Sequence, residues 1–180
     1  SIAYSLRTLN GERMADNVTL RLSKLEVPHS NHILTSVERY TDREQWNEEH
    51  TYIHRTEQTA SDKDNYLLLT KDLPYGFYRL TATYTDGDKQ YSEVYYLELW
   101  GEGKGIVSSY MLYQTRVKSR EVQTGDTAVL YVGTRYSDVY LHYYIQIENR
   151  VVDKGTLCLT DEMTSLRIPI KEEWRGRMKV

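Results

Sequence analysis

The chain is short of the residues that staple or punctuate small domains. It holds one cysteine, three prolines and one phenylalanine in 180 residues. A lone cysteine excludes an internal disulfide, so stability has to come from burial and backbone pairing. No stretch approaches the ~18 consecutive apolar residues that a membrane-spanning helix needs. No secretory leader stands at the start. A strand pattern is already running at Ile2, which is the expectation for a piece of a longer protein, so the missing leader is silent about location. Charge of one sign is lacking too: the net charge is −3, and residues 1–100 carry 11 basic and 16 acidic side chains against 12 and 10 in the rest. No basic groove for nucleic acid is expected from that balance, nor a direct insertion into membrane. No regular alternation of strands with helical patterns of 10–15 residues is present, which excludes a doubly wound parallel sheet.

Tyrosine is abundant instead, with 17 residues. Its ring packs on a pleated surface while its hydroxyl stays wet, which suits half-buried strands. The clearest element is Asp72 to Leu99. Tyr78, Leu80, Ala82 and Tyr84 alternate with polar residues, as do Tyr95, Leu97 and Leu99, and Asp86-Gly87-Asp88 between them predicts a hairpin turn. Leu73-Pro74-Tyr75-Gly76 marks a sharp lead into the first strand. Earlier, Ile2, Tyr4 and Leu6 predict one strand, Asn10-Gly11 a turn, and Val18, Leu20 and Leu22 a second strand ending near Pro28. Asn65–Thr70 predicts another. Between Glu26 and Asp64 the alternation fades, which suggests an insertion. There Thr41 and Glu44 have capping-box spacing, and Trp46, His50 and Ile53 fall on one helical face, predicting a short helix over 42–54 with Trp46 tethering it to the core.

Gly101, Gly103 and Gly105 then break the chain before a second series of strands: Ile106–Tyr113, Val117–Val122, Thr127–Thr134, Val139–Glu148, Val151–Leu159, Ser165–Ile170 and one starting near Gly176. Turn-rich joints separate them. The expected architecture is all-β: two tandem antiparallel β-sandwiches, 1–100 with a partly helical insertion at 26–64, and 106–180.

Few residues suggest chemistry. Glu49-His50 with His54 is the strongest metal candidate, because His at i and i+4 share a helical face. Thr51 stands where a zinc protease would need its glutamate, and no third ligand is evident. Cys158, between Leu157 and Leu159, is expected as a small buried hydrophobe. Glu48/Glu49 and Glu172/Glu173 are adjacent and therefore splayed. The glycine-rich break precedes no helix, so it is no phosphate loop. Asn17-Val18-Thr19 matches a glycosylation sequon. No catalytic residue, cofactor or enzymatic activity is expected.

Two stretches resemble a known family. Asp72–Leu99, with its Leu-Pro-x-Gly-x-Tyr-x-Leu strand and Asp-Gly turn, looks like the end of a macroglobulin-type (immunoglobulin-like) sandwich. Residues 122–180 resemble the following macroglobulin domain of bacterial α2-macroglobulin-like proteins, through Thr124-Gly125-Asp126, Gly133, Asp138-Val139-Tyr140, Arg150-Val151-Val152, Ile168-Pro169-Ile170 and Lys171 to Gly176. Lys24 to Pro28 fits the preceding domain. The resemblance implies a non-catalytic scaffold in a secreted, periplasmic or envelope-anchored bacterial protease trap. Its partners would be the parent's other domains and proteases. It also implies seven strands per sandwich. With Val117–Val122 taken as the first strand continued after a kink, six stand before Val180, so the second domain, 106–180, is expected to be truncated at its C-terminus. The family's Cys-Gly-Glu-Gln thioester motif is absent, so no functional residue carries over. The rival reading is a carbohydrate-binding module or a cell-surface adhesin domain, marked by exposed coplanar aromatic rings.

Overall fold

The computed structural model describes residues 1–27, 43–103, 113–134 and 136–180. They form strands in antiparallel sheets, with a single turn of 3-10 helix at Arg43–Gln45. The chain divides into two compact units. Unit 1 takes Ser1–Val27 and Asp42–Leu99, and the described residues of unit 2 begin at Trp100.

Unit 1 is built on a four-stranded sheet of order β3-β2-β5-β6. Its strands are β2 (Asn17–Leu25), β3 (Glu48–Gln58), β5 (Gly76–Asp86) and β6 (Lys89–Leu99). A two-stranded sheet of β1 (Ile2–Tyr4) and β4 (Asn65–Leu67) packs on one face of it. Val18, Leu20 and Leu22 of β2 and Tyr78 and Leu80 of β5 alternate inward and are buried with Leu67 and Leu73. Ile2, Tyr4, Leu97 and Leu99 close that core in part. Period-2 patterning thus sets which face is buried, and the Leu73-Pro74 lead-in is held by the buried Tyr78, whose hydroxyl donates to the Pro74 carbonyl at 2.6 Å.

The β5–β6 hairpin closes with a two-residue turn, Gly87-Asp88, since Asp86 pairs with Lys89. Gly87 has φ +58 and Asp88 is not left-handed, the arrangement of a II′ turn. An added Cβ at Gly87 would meet nothing within 4 Å. The expected cost of Gly87→Ala is therefore conformational only, about 1–2 kcal/mol, read as a lowered urea midpoint. A loss several times larger would mean the turn is packed against something.

The predicted helix over 42–54 is corrected. Thr41 and Asp42 lie outside the described residues, Arg43–Gln45 is one 3-10 turn, and Glu48–Gln58 is a strand of the main sheet. The strand wins because nine residues of β3 pair with β2, and because Thr51, Tyr52, Ile53 and Thr56 are β-branched or aromatic. Residues 43–64 are consequently not a helical insertion. Trp46 is nonetheless buried, at 7% exposure, with its ring edge-on to Phe77 at 5.5 Å. Arg79 fixes the turn beneath it: its guanidinium donates to the carbonyls of Arg43, Glu44 and Trp46 at 2.8, 3.0 and 3.2 Å.

Among its described residues, unit 2 has two three-stranded sheets. One is β11 (Thr164–Pro169), β8 (Thr127–Gly133) and β7 (Gln114–Val117); the other is β10 (Arg150–Leu159), β9 (Val139–Ile147) and β12 (Met178–Lys179). Ile145, Ile147, Leu166, Ile168, Ile170 and Trp174 form a shared core. The strand expected at Ile106–Tyr113 falls almost wholly outside the described residues, and the one expected at Val117–Val122 is replaced by the shorter β7. Turns fall at the predicted joints. Glu148 and Asn149 take φ +45 and +69 between paired Ile147 and Arg150, as a I′ turn requires.

Candidate functional site

The two histidines do not share a face. In β3 they lie across from different residues of β2: His50 pairs with Lys24 and His54 with Arg21. Paired residues share a face, and Lys24 and Arg21 are three apart in a strand, so the histidines stand on opposite faces. The cause is a bulge at Tyr52, which has no partner between the Leu22–Ile53 and Ser23–Thr51 pairs. Each imidazole also sits beside a cation, a poor setting for a metal ion. His50 instead packs its ring against Tyr52, at 4.6 Å. Among the described residues no group of three or more His, Cys, Asp or Glu side chains could hold a metal.

Other candidates resolve into surface chemistry. Cys158 is exposed, which corrects the expected buried thiol. Leu157 and Leu159 take the inward positions of β10, so the residue between them must point out, opposite Tyr140. Glu48 pairs with Arg21 and Arg79, Glu49 with Lys24. Glu172 and Glu173 are exposed.

What the sequence did not single out is a groove of about 450 Å³ in unit 1. One wall is the run Ile2 to Arg7, consecutive residues that present the rim of β1. The floor is the inner face of the main sheet: Val18, Leu20, Leu80, Ala82, Tyr84, Tyr91, Glu93 and Tyr95. The groove exists because two strands cannot cover four. At about 4.8 Å per strand, the four-stranded sheet is roughly 10 Å wider than the pair lying on it. The inner face of β6 is covered toward Leu97 and Leu99 and open from Tyr95 to Tyr91, where both tyrosines are more than half exposed (54% and 53%). Tyr91 stacks on Tyr84, with centroids 6.2 Å apart and planes at 21°. The Tyr95 hydroxyl donates to Glu93. A legible signal was there: Tyr91 and Glu93 continue the inward parity of Tyr95, Leu97 and Leu99, and an acidic side chain in a core register marks an uncovered one.

Two tyrosines of unit 1 have perturbed hydroxyls. Burial pushes Tyr4 up to about 12, helped by its hydrogen bond to Glu57. Burial likewise pushes Tyr78 up to about 12, with the charges of Tyr52 and Glu49 adding to it. Both favour the neutral form in the fold, so an acid whose folded value is raised loses stabilisation as pH climbs. Stability of unit 1 is expected to be flat below the unfolded value of about 10 and to fall as pH approaches 12. Tyr4→Phe should flatten part of that fall in alkaline urea titrations. An unchanged alkaline profile would show that Tyr4 ionises as freely as in the unfolded chain.

No protein-family model, curated protein or solved structure matches this chain.

Proposed function

We propose that the chain supplies two non-catalytic β-sandwich units of an α2-macroglobulin-like scaffold, acting outside the bacterial cytoplasm in a protein that traps proteases. The observation that carries this reading is where the residues of the resemblance fall. Leu73-Pro74-Tyr75-Gly76 leads into the central strand β5 with Leu73, Phe77 and Tyr78 buried. Thr124-Gly125-Asp126 is tied to Ile168-Pro169-Ile170, since Gly125 donates to the Ile170 carbonyl at 3.2 Å and Ile170 to that of Asp126 at 2.9 Å. Lys171 to Trp174 forms a turn that buries the indole. Two separate stretches of the same family pattern thus act as one joint, as parts of a shared framework would. Framework residues of this kind position domains and leave recognition to grooves and loops.

The test uses the full-length protein that carries these units. Mixed with proteases of different specificity, it is expected to be cut in one segment and to hold the protease in a complex that survives gel filtration. The held protease should still cleave a small chromogenic peptide but spare a protein substrate. Protease recovered free after cleavage overturns the reading.

The rival reading of a carbohydrate-binding module calls for exposed coplanar rings, whereas Tyr84 and Tyr91 at the groove are stacked on each other. Glycan-array binding that disappears in Tyr91→Ala would support it.

A further inference from the structure

We infer that the groove of unit 1 is a docking site for an extended segment of another polypeptide, which adds as a third strand beside β1 and carries a basic side chain over Glu93. The inference does not rest on the scaffold reading; it rests on three features of the groove that specify different parts of the occupant.

The backbone of the occupant is specified by β1. That strand pairs with β4 along one side, and among the described residues no strand pairs with its other side. Residues Ile2 to Arg7 wall the groove as an unbroken run, about 20 Å of chain at ~3.3 Å per residue. The run is already paired at its far end, where the Leu6 carbonyl accepts from the Met14 amide and Arg7 bridges Arg13. Unpaired peptide groups along such a rim are a template for an added strand. The width agrees, because the uncovered inner face has room for one or two further strands.

The side chains of the occupant are specified by the floor. An added strand would point every second residue at Leu80, Ala82, Tyr84, Tyr91 and Tyr95, so those residues should be apolar. Its charge is specified by Glu93. This exposed carboxylate accepts a hydrogen bond from Tyr95 and, among the described residues, makes no ion pair. Asp64 is bridged to Arg13 at 2.8 Å, and the Arg7 guanidinium donates to Ser5 and to the Gly11 carbonyl. Arg7, in the β1 wall, thus meets only neutral acceptors among the described residues, and Glu93 on the β6 floor is the groove's unmatched negative charge, which a lysine or arginine pointing inward over it complements.

The probe is an end-capped, fluorescein-labelled heptapeptide, Val-Thr-Lys-Thr-Val-Thr-Val, whose alternate residues give an inward set of Val, Lys, Val and Val. Two counterparts accompany it, one with Glu replacing Lys and one N-methylated at alternate amides. Fluorescence anisotropy against the 180-residue chain is expected to saturate with the Lys peptide. Binding should be at least tenfold weaker for the Glu and N-methylated forms. Glu93→Lys, an exposed change that leaves the core untouched, should reverse the Lys/Glu preference. Hydrogen exchange should slow at the amides of residues 2–7 when the Lys peptide binds.

Several results overturn the proposal. These are no saturable binding by the Lys peptide, equal binding of the Lys and Glu peptides, and binding with no slowing at residues 2–7. A further one is slowing at residues 2–7 that grows with protein concentration without peptide, since a second copy would then be the occupant.

Discussion

Trp46→Ala is expected to lower the stability of unit 1 by about 3–5 kcal/mol, the range for removing a buried tryptophan. Trp46 is 7% exposed and stands edge-on to Phe77, which is itself 1% exposed, so deletion opens a cavity bounded by an aromatic face. The surroundings are poorly able to collapse into it. Arg79 pins the carbonyls of Arg43, Glu44 and Trp46, and its side chain also reaches Glu48. A pinned turn keeps the hole open, and an open hole costs more than a relaxed one. Urea unfolding followed by circular dichroism should show the lowered midpoint, and Trp46→Phe should recover more than half of the loss. A change under about 1 kcal/mol would mean that the indole is a lid rather than a part of the core.

Trp174→Ala is expected to cost unit 2 a similar amount, about 3–5 kcal/mol. The indole is 8% exposed and joins Ile145, Ile147, Leu166, Ile168 and Ile170. Lys171 lies over the ring, with Nζ 5.0 Å from its centroid, and the Trp174 amide donates back to the Lys171 carbonyl. The two contributions separate by substitution. Lys171→Ala removes only the cation–π contact, worth about 0.5–1 kcal/mol at an exposed site, whereas Trp174→Ala removes the apolar burial as well. Equal losses from the two substitutions would show that the charge, not the burial, anchors this turn.

Strands whose alternation is unbroken were legible in the sequence almost residue for residue. β2, β5 and β9 put alternate residues into a core (Val18, Leu20 and Leu22; Tyr78 and Leu80; Ile145 and Ile147), and a one-residue slip would turn each inside out. Such strands carry their register in their composition. β3 was not legible, because Tyr52 breaks its alternation and leaves Trp46, His50 and Ile53 at helical spacing by coincidence. Pairing with β2 then decided the matter, and pairing is a property of two segments that no window on one of them contains. Cys158 was misread for another reason: its parity in β10 was plain, but its type suggested burial more strongly than its position did. The groove went unseen because it is made by what β1 and β4 do not cover, and coverage depends on sheet widths rather than on any residue.

The unpaired Tyr52 also bears on how this chain tolerates changes in length. Inside a regular ladder, deleting a residue throws every later side chain onto the wrong face. At Tyr52 the opposite holds. Leu22 already faces Ile53 and Ser23 already faces Thr51, so a chain lacking Tyr52 could keep both pairs and lose only the bulge and the ring contacts to His50 and Tyr78. Sequences sharing this sheet can therefore differ by one residue in the middle of a strand. An alignment that confines its gaps to loops would misplace everything between that point and the turn before it.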